Sequence, residues 1–229
     1  MFVAEKNFFA DLGERGFYIL EKFIPSVLQR DLERDLLALY EKPDHFELLL
    51  EINRLNESDK ERLYSLYLKS NHLKSFINIK EYICKFLTRI TESSEHQVVG
   101  SGILQAPTQD RRLAYDWHQE SAYMPVEHCI HFQFPVFMKA DSSNGSMSVL
   151  EGSNLLGHLE FVERQASQDA VRNRKIIGIE TLVKSSREVV FEMSLGDCGV
   201  FLDHTIHRSN VNSSKFARLS GVVRVARAK

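Results

Sequence analysis

Apolar positions along the chain follow two different periods. Leu28, Leu32, Leu36 and Leu39 recur at spacings of four, four and three, which places them on one face of an α-helix. Ser26 with Gln29 reads as a capping box for that helix, and Pro25 marks its entry. Ser58 with Glu61 reads as a second box, opening a segment in which Leu63, Leu66 and Tyr67 share a face. A third helix is predicted over about Leu73 to Thr88. Each stripe is flanked by charged residues, the pattern of helices that pack on a core elsewhere in the chain.

From about Gln97 the texture changes to short runs of Val, Ile, Phe and Leu separated by Gly, Asn, Asp and Ser. Strands are expected at Val98 to Gln105, His128 to Met138, Ser146 to Leu150, Arg187 to Met193, Gly199 to Asp203 and Phe216 to Val225. Gly157 to Ser186 is a longer stretch without clear patterning. Helices first and strands afterwards predict an α+β chain that is mainly β, with a sandwich or jelly roll after a helical N-terminal part. No linker divides the chain, so residues 1–229 read as one domain, helix-rich over 1–96 and β-rich over 97–229. Neither a dinucleotide-binding glycine turn nor a phosphate-binding P-loop occurs.

Composition narrows the class. The 229 residues are 43% hydrophobic and 26% charged, ordinary for a globular chain and unlike a disordered one. A net charge of −2 supplies no positive field for a polyanion, so nucleic acid is not an expected partner. Cys84, Cys129 and Cys198 are scattered and odd in number, which predicts free thiols and a reducing, cytoplasmic compartment. Neither a signal peptide nor a membrane span is expected, because acidic residues interrupt the first segment and no apolar run approaches eighteen positions.

Chemistry concentrates in two places. In Tyr115-Asp116-Trp117-His118-Gln119-Glu120, His118 and Glu120 are two apart, so on an extended backbone both side chains leave the same face as a metal clamp. Far along the chain, His204 and His207 follow the Val200-Phe201-Leu202 run and offer a second imidazole. Two imidazoles and one carboxylate on one face of an octahedral ion leave three positions open, the pattern of non-haem Fe(II) sites. Arg218, at the start of a fresh strand eleven residues after His207, presents a fork able to receive a carboxylate. Trp117, Tyr115 and Tyr123 flank the first motif and are candidates to line a pocket. Asn144-Gly145 reads as a tight turn, His128, His131 and His158 as core or loop residues, and Cys129 and Cys198 as small buried residues. Arg111 and Arg112 read as a solvated loop, and the basic residues after Asp203, apart from Arg218, as a solvated face.

Three ordered segments resemble the phytanoyl-CoA dioxygenase family of Fe(II)- and 2-oxoglutarate-dependent oxygenases: Trp117 to Glu120, Asn144 to Asn154, and Gly196 to Arg218. Phe9 to Leu20 is similar to the family's opening helix and first strand. The resemblance implies a double-stranded β-helix, the cupin-like jelly roll, with packing helices. It implies His118, Glu120 and His207 as iron ligands and catalytic centre. Arg218 and Ser209 would bind the distal carboxylate of 2-oxoglutarate, and Gln105 resembles the polar side chain aimed at the same cosubstrate. Glu120 stands where Asp is commoner, and Glu151-Gly152-Ser153-Asn154 replaces the usual Pro-Gly-Ser-His turn.

The cofactors so implied are Fe(II), 2-oxoglutarate as cosubstrate and O₂, with a small-molecule metabolite, such as a sugar or amino acid, hydroxylated. A carboxylate at Glu120 disfavours halogenation. The competing readings are a cupin-like metal-dependent isomerase or hydrolase and a non-catalytic jelly-roll binding module. An arginine for a second carboxylate argues against the former, and a complete ligand set against the latter.

Overall fold

The computed structural model describes residues 2–91, 96–123, 129–164 and 173–228. Helix α1 (Phe2–Arg15) and strand β1 (Phe17–Leu20) lead into helices α2 (Ser26–Tyr40), α3 (His45–Ser58), α4 (Lys60–Ser70) and α5 (Lys74–Thr91). Strands β2 (His96–Ala106), β3 (Ile130–Val136), β4 (Met147–Leu150), β5 (Phe161–Arg164) and β6 (Asn173–Ile176) follow. Helix α6 (Ile179–Ser185) and strands β7 (Glu188–Val190), β8 (Cys198–Leu202), β9 (His207–Ser209) and β10 (Arg218–Arg227) complete the chain.

Helix ends correct the expected caps. Pro25 precedes α2 and no side chain caps it, while the Gln29 amide extends towards Glu33 at 3.1 Å instead of returning to Ser26. Gln29 is buried, so its side chain belongs to the packed face and is unavailable as a box partner. At α4 the cap lies one residue later than expected: Asp59 accepts from the Arg62 N–H at 3.0 Å, while Ser58 ends α3 by donating to the Arg54 carbonyl. Helix α3 was not anticipated, although Asp44 and Glu47 carried its signature. The Asp44 carboxylate accepts from the Glu47 N–H at 2.9 Å, and Leu48, Leu49, Ile52 and Leu55 are buried behind it.

Five antiparallel strands form the larger sheet in the order β1-β8-β3-β10-β2, and β7-β4-β9 form the smaller one. Alternation along β3 and β10 divides the chemistry. Phe132, Phe134, Val136, Leu219, Val223 and Val225 join the core beneath the helices. Helices α4 and α5 cover β2, and α1 lies on β1. The opposite face meets the smaller sheet across Phe17, Met147, Val149, Phe191, Met193 and Phe201. Two facing sheets with a helical cover match the jelly-roll expectation. The expected strands are all present with shifted ends, whereas the unpatterned stretch resolves into the β5–β6 hairpin and α6. Ile176 and Ile179 from it pack with Trp117, Leu150 and Ile206.

Gly221 is the tightest point of this packing. It pairs with Phe134 across β10 and β3, and a Cβ there would run into the Phe134 ring. Gly221→Ala is expected to destabilise the fold by about 1–3 kcal/mol through overpacking. Thermal denaturation should therefore show a lower Tm, with an unchanged Tm contradicting this account of the sheet–helix contact.

Candidate metal centre

The two halves of the centre are joined through the backbone. The His118 N–H donates to the His207 carbonyl at 2.9 Å, and the His207 N–H returns the bond to His118 at 3.0 Å. This isolated antiparallel bridge brings the imidazoles to a centroid separation of 4.2 Å. Extended backbone persists through Gln119, whose φ and ψ are −115° and 139°, but Glu120 then opens a 3₁₀ turn. The expected extended clamp thus holds for half of its length. The turn replaces the strand at the carboxylate, and one ligand atom from each of His118, Glu120 and His207 still lies within 4.8 Å of the others. His204 is absent from this cluster. Its carbonyl instead accepts from the buried Gln119 amide at 2.7 Å, and Gln119 also takes the Leu159 N–H at 2.9 Å.

Hydrogen bonds select the imidazole faces. His118 Nδ1 meets the Asp116 carbonyl at 2.7 Å, and His207 Nδ1 meets the Thr205 carbonyl at 2.9 Å. Each ring therefore holds its proton on Nδ1 and keeps the Nε2 lone pair for the cluster. Burial pushes His118 down to about 4, with the neighbouring His207 adding to the fall, so it is neutral at physiological pH. Burial acts to raise the Glu120 carboxyl, but His207, with Nε2 3.6 Å from Oε1, and the charge of Arg224 outweigh it and hold it well below the usual range. Two imidazole nitrogens and one ionised carboxylate fit a divalent first-row metal.

Beyond the cluster, Arg218 is buried at the start of β10. Its Nε donates to the Asn144 carbonyl at 3.1 Å, Nη2 to the Gly145 carbonyl at 2.8 Å, and Nη1 to Ser220 Oγ. Burial depresses it to about 10, which leaves it charged at neutral pH. Three of its five N–H groups are thus occupied, and the residue lines a cavity of about 480 Å³. Gly145 makes this possible: its φ is +78°, and a Cβ would lie 2.7 Å from the Asn210 carbonyl and 2.8 Å from the Asn212 nitrogen. Asn144 does not share the positive φ expected of it. It is buried, and its amide donates to the Lys139 carbonyl at 2.7 Å.

Ser209 borders both this cavity and a second one of about 630 Å³ that contains the three candidate ligands. Leu104, Tyr115 and Gln133 are shared as well, so the ligand cluster and Arg218 border neighbouring cavities with common walls. Gln105 also borders the Arg218 cavity, but it lies in register with Leu219 on the helix-packed side, and its amide donates to Tyr40 Oη at 2.6 Å. It is not brought to the same face as Arg218.

Other expectations sort as follows. Tyr115 and Tyr123 flank His118 at 5.8 and 5.7 Å, whereas Trp117 is buried in the small core with the Arg208 guanidinium 4.6 Å from its ring. The indole is therefore a support and not a wall. Cys129 and Cys198 are buried, and burial raises both thiols, Cys129 to about 11. His131 is fully buried against Phe201, His158 is exposed, and His128 lies outside the described residues. Arg111 is exposed, but Arg112 is paired with Asp110 and borders the Arg218 cavity.

The larger correction concerns Arg224, which was assigned to a solvated face. Its Nη2 donates to Glu120 Oε1 at 3.0 Å, and its side chain lines the larger cavity. Strand alternation explains this: Arg218, Ser220, Val222 and Arg224 share one side of β10, and the bulge comes only after Arg224. Counting by two from Arg218 would have found it. Glu120→Gln keeps the size of the side chain and removes its charge, so it should weaken binding of Mn(II) or Co(II) by about a hundredfold or more in calorimetry. An affinity equal to wild type would exclude Glu120 as a ligand.

Comparison with known proteins places the fold. SnoN, described as a non-haem α-ketoglutarate-dependent epimerase from nogalamycin biosynthesis and crystallised with Fe³⁺ and α-ketoglutarate, superposes with a TM-score of 0.66 at 13% identity. The match covers 99% of this chain and 84% of SnoN. EctD from S. alaskensis, crystallised with 2-oxoglutarate and 5-hydroxyectoine, gives 0.65 at 15% identity over 95% of this chain and 74% of its own. The carbocyclase SnoK gives 0.61 at 16% identity, covering 97% and 84%. These likenesses establish the fold. A search of curated proteins returns no match. The family model described as Phytanoyl-CoA dioxygenase (PhyH) matches residues 15–220, from the end of α1 to the first turns of β10, and spans both halves of the centre. The chain belongs to the phytanoyl-CoA dioxygenase family.

Proposed function

We propose that the protein is an Fe(II)- and 2-oxoglutarate-dependent oxygenase acting on a small molecule, with hydroxylation as its outcome. The observation that carries this reading is a buried arginine on a cavity that shares its walls with the cavity of a His-Glu-His cluster. A metal ion acting alone as a Lewis acid requires no anchor for a second carboxylate, whereas a dicarboxylate cosubstrate does. Family membership and structural relatives crystallised with iron and 2-oxoglutarate support the same assignment.

In this reading His118, Glu120 and His207 hold iron, and Arg218 with the Ser209 hydroxyl receives the distal carboxylate of 2-oxoglutarate. Iron with 2-oxoglutarate and O₂ supplies, when bound, the oxidising power that the protein side chains lack. The chain's own contribution is placement. Reciprocal backbone bonds fix the two imidazoles, their Nδ1 protons are held by carbonyls, and the Asn144-Gly145 carbonyls aim the guanidinium. The apolar surfaces of Phe201, Met147 and Val222 exclude water beside them.

Among the relatives, one is described as an epimerase and another as a carbocyclase, so the outcome within this fold depends on which substrate bond faces the metal. Hydroxylation is the outcome that requires no further group. The substrate would enter past the β5–β6 hairpin, which supplies Glu163 and Arg174 to the larger cavity. The free state of the cysteines supports a cytoplasmic setting, and no helix among the described residues is long and apolar enough to cross a membrane.

Anaerobic addition of 2-oxoglutarate to the Fe(II)-loaded protein should produce a visible metal-to-ligand charge-transfer band without any substrate. Arg218→Ala should require about tenfold or more 2-oxoglutarate for half-saturation, since a charge-assisted bidentate contact is lost. Wild-type protein that binds Fe(II) but develops no band would exclude this function.

A further inference from the structure

Arg224 remains in charge excess once the centre is filled. Its side chain lines the larger cavity beside Glu120, and Nη2 makes the one bond described above. Nε is buried and has no hydrogen-bond partner among the described residues. A guanidinium has five N–H donors and cannot shed its proton, so a partly buried one such as Arg224, short of acceptors, favours an incoming anion. Metal binding deepens that shortage, because the Glu120 carboxylate must then serve the ion as well.

Formal charge points the same way. With the proposed cofactors in place, a divalent ion, Arg218 and Arg224 contribute four positive charges. Glu120 and the two carboxylates of 2-oxoglutarate contribute three negative ones. Arg174 and Glu163, across the same cavity, pair at 3.4 Å and cancel. Arg112 and Asp110 beside Arg218 pair with each other, and Lys60 there is exposed to solvent. One positive charge is left over beside the ligand cluster, and its nearest bearer is Arg224. The remaining walls are Leu104, Met147, Phe201, Val222, Tyr115 and Tyr123, which suit an apolar or aromatic body, with Gln133 and Ser209 as the polar exceptions.

We propose that the substrate is a small monoanion whose carboxylate is received by Arg224, with its apolar part held between Tyr123, Phe201 and Val222. This rests on the iron and 2-oxoglutarate reading and adds the chemical class of the substrate to it. The Arg174 guanidinium is held 5.1 Å from the Tyr123 ring and 4.8 Å from that of Phe161, while its backbone N–H donates to Tyr123 Oη at 2.6 Å. The hairpin side of the pocket is thus fixed by contacts of its own, and Arg224 is the donor left for the ligand. Arg224 would be a specificity-determining residue, discriminating against neutral analogues because a partly buried fork without its anion is penalised.

The test compares benzoate with benzamide, which match in shape and differ by one charge. Each is titrated anaerobically, at constant ionic strength, into protein loaded with Fe(II) and saturating 2-oxoglutarate, following perturbation of the charge-transfer band. Wild type should respond saturably to benzoate and at least about tenfold more weakly to benzamide. Arg224→Gln should lose that preference in protein that still forms the charge-transfer band with 2-oxoglutarate, and Arg224→Lys should retain it. Should Arg224→Gln fail to load, the benzoate-to-benzamide comparison in wild type and Arg224→Lys still decides. Equal response to the two probes, no saturable response to either, or undiminished preference in Arg224→Gln would each overturn the anion anchor while leaving the oxygenase reading intact. A wild-type band that never forms would overturn the oxygenase reading itself.

Discussion

The centre depends on a pair of backbone hydrogen bonds. His118 and His207 are far apart in the chain, and their side chains converge because each residue gives its N–H to the other's carbonyl. The bridge continues the β4–β9 pairing, in which His207 lies opposite Val149 and Ser209 opposite Met147. One register therefore sets both the second imidazole and the serine beside Arg218. A shift by a single residue would turn His207 and Ser209 out of the cavity together. The buried Gln119 amide and Trp117 indole hold the segment that carries His118 against the neighbouring loop, so the bridge is supported on both flanks.

Burial then gives the cluster its chemistry. The His118 imidazole, taken out of water, stays neutral, and the Glu120 carboxylate stays ionised because His207 and the charge of Arg224 outweigh its desolvation. The same strand provides both arginines of the site: β10 carries Arg218 at one end and Arg224 six residues on, with Ser220 and Val222 between them on the same face. The other face of that strand is core. Charge and packing are thus separated across one pleated ribbon, and Gly221 allows the helix-covered side to close over Phe134.

His118, Glu120, His207 and Arg218 could be singled out as candidates because three ordered segments resemble one family, and the jelly roll was legible because strand-length apolar runs follow helical ones. Helix caps read less well. Ser26 and Ser58 had the right residue types, but the caps depend on which side chain faces solvent, and Asp59 or a bare Pro25 took the role. Helix α3 was missed although Asp44 and Glu47 announced it, because no element was assigned between the Leu28–Leu39 stripe and Ser58. Arg224 was missed for a different reason. Its partner Glu120 lies more than a hundred residues earlier, and only strand alternation extended from Arg218 connects them. Gln105 shows the converse: a polar residue near the right strand end, turned by the same alternation towards Tyr40.

A crystal structure of the protein grown anaerobically with Mn(II) and 2-oxoglutarate tests the central claim most directly. The account predicts the ion on His118 Nε2, His207 Nε2 and a Glu120 carboxylate oxygen, with the distal carboxylate of 2-oxoglutarate on Arg218 and Ser209. An ion bound away from these three residues, or a 2-oxoglutarate whose far carboxylate leaves Arg218 uncontacted, would contradict it.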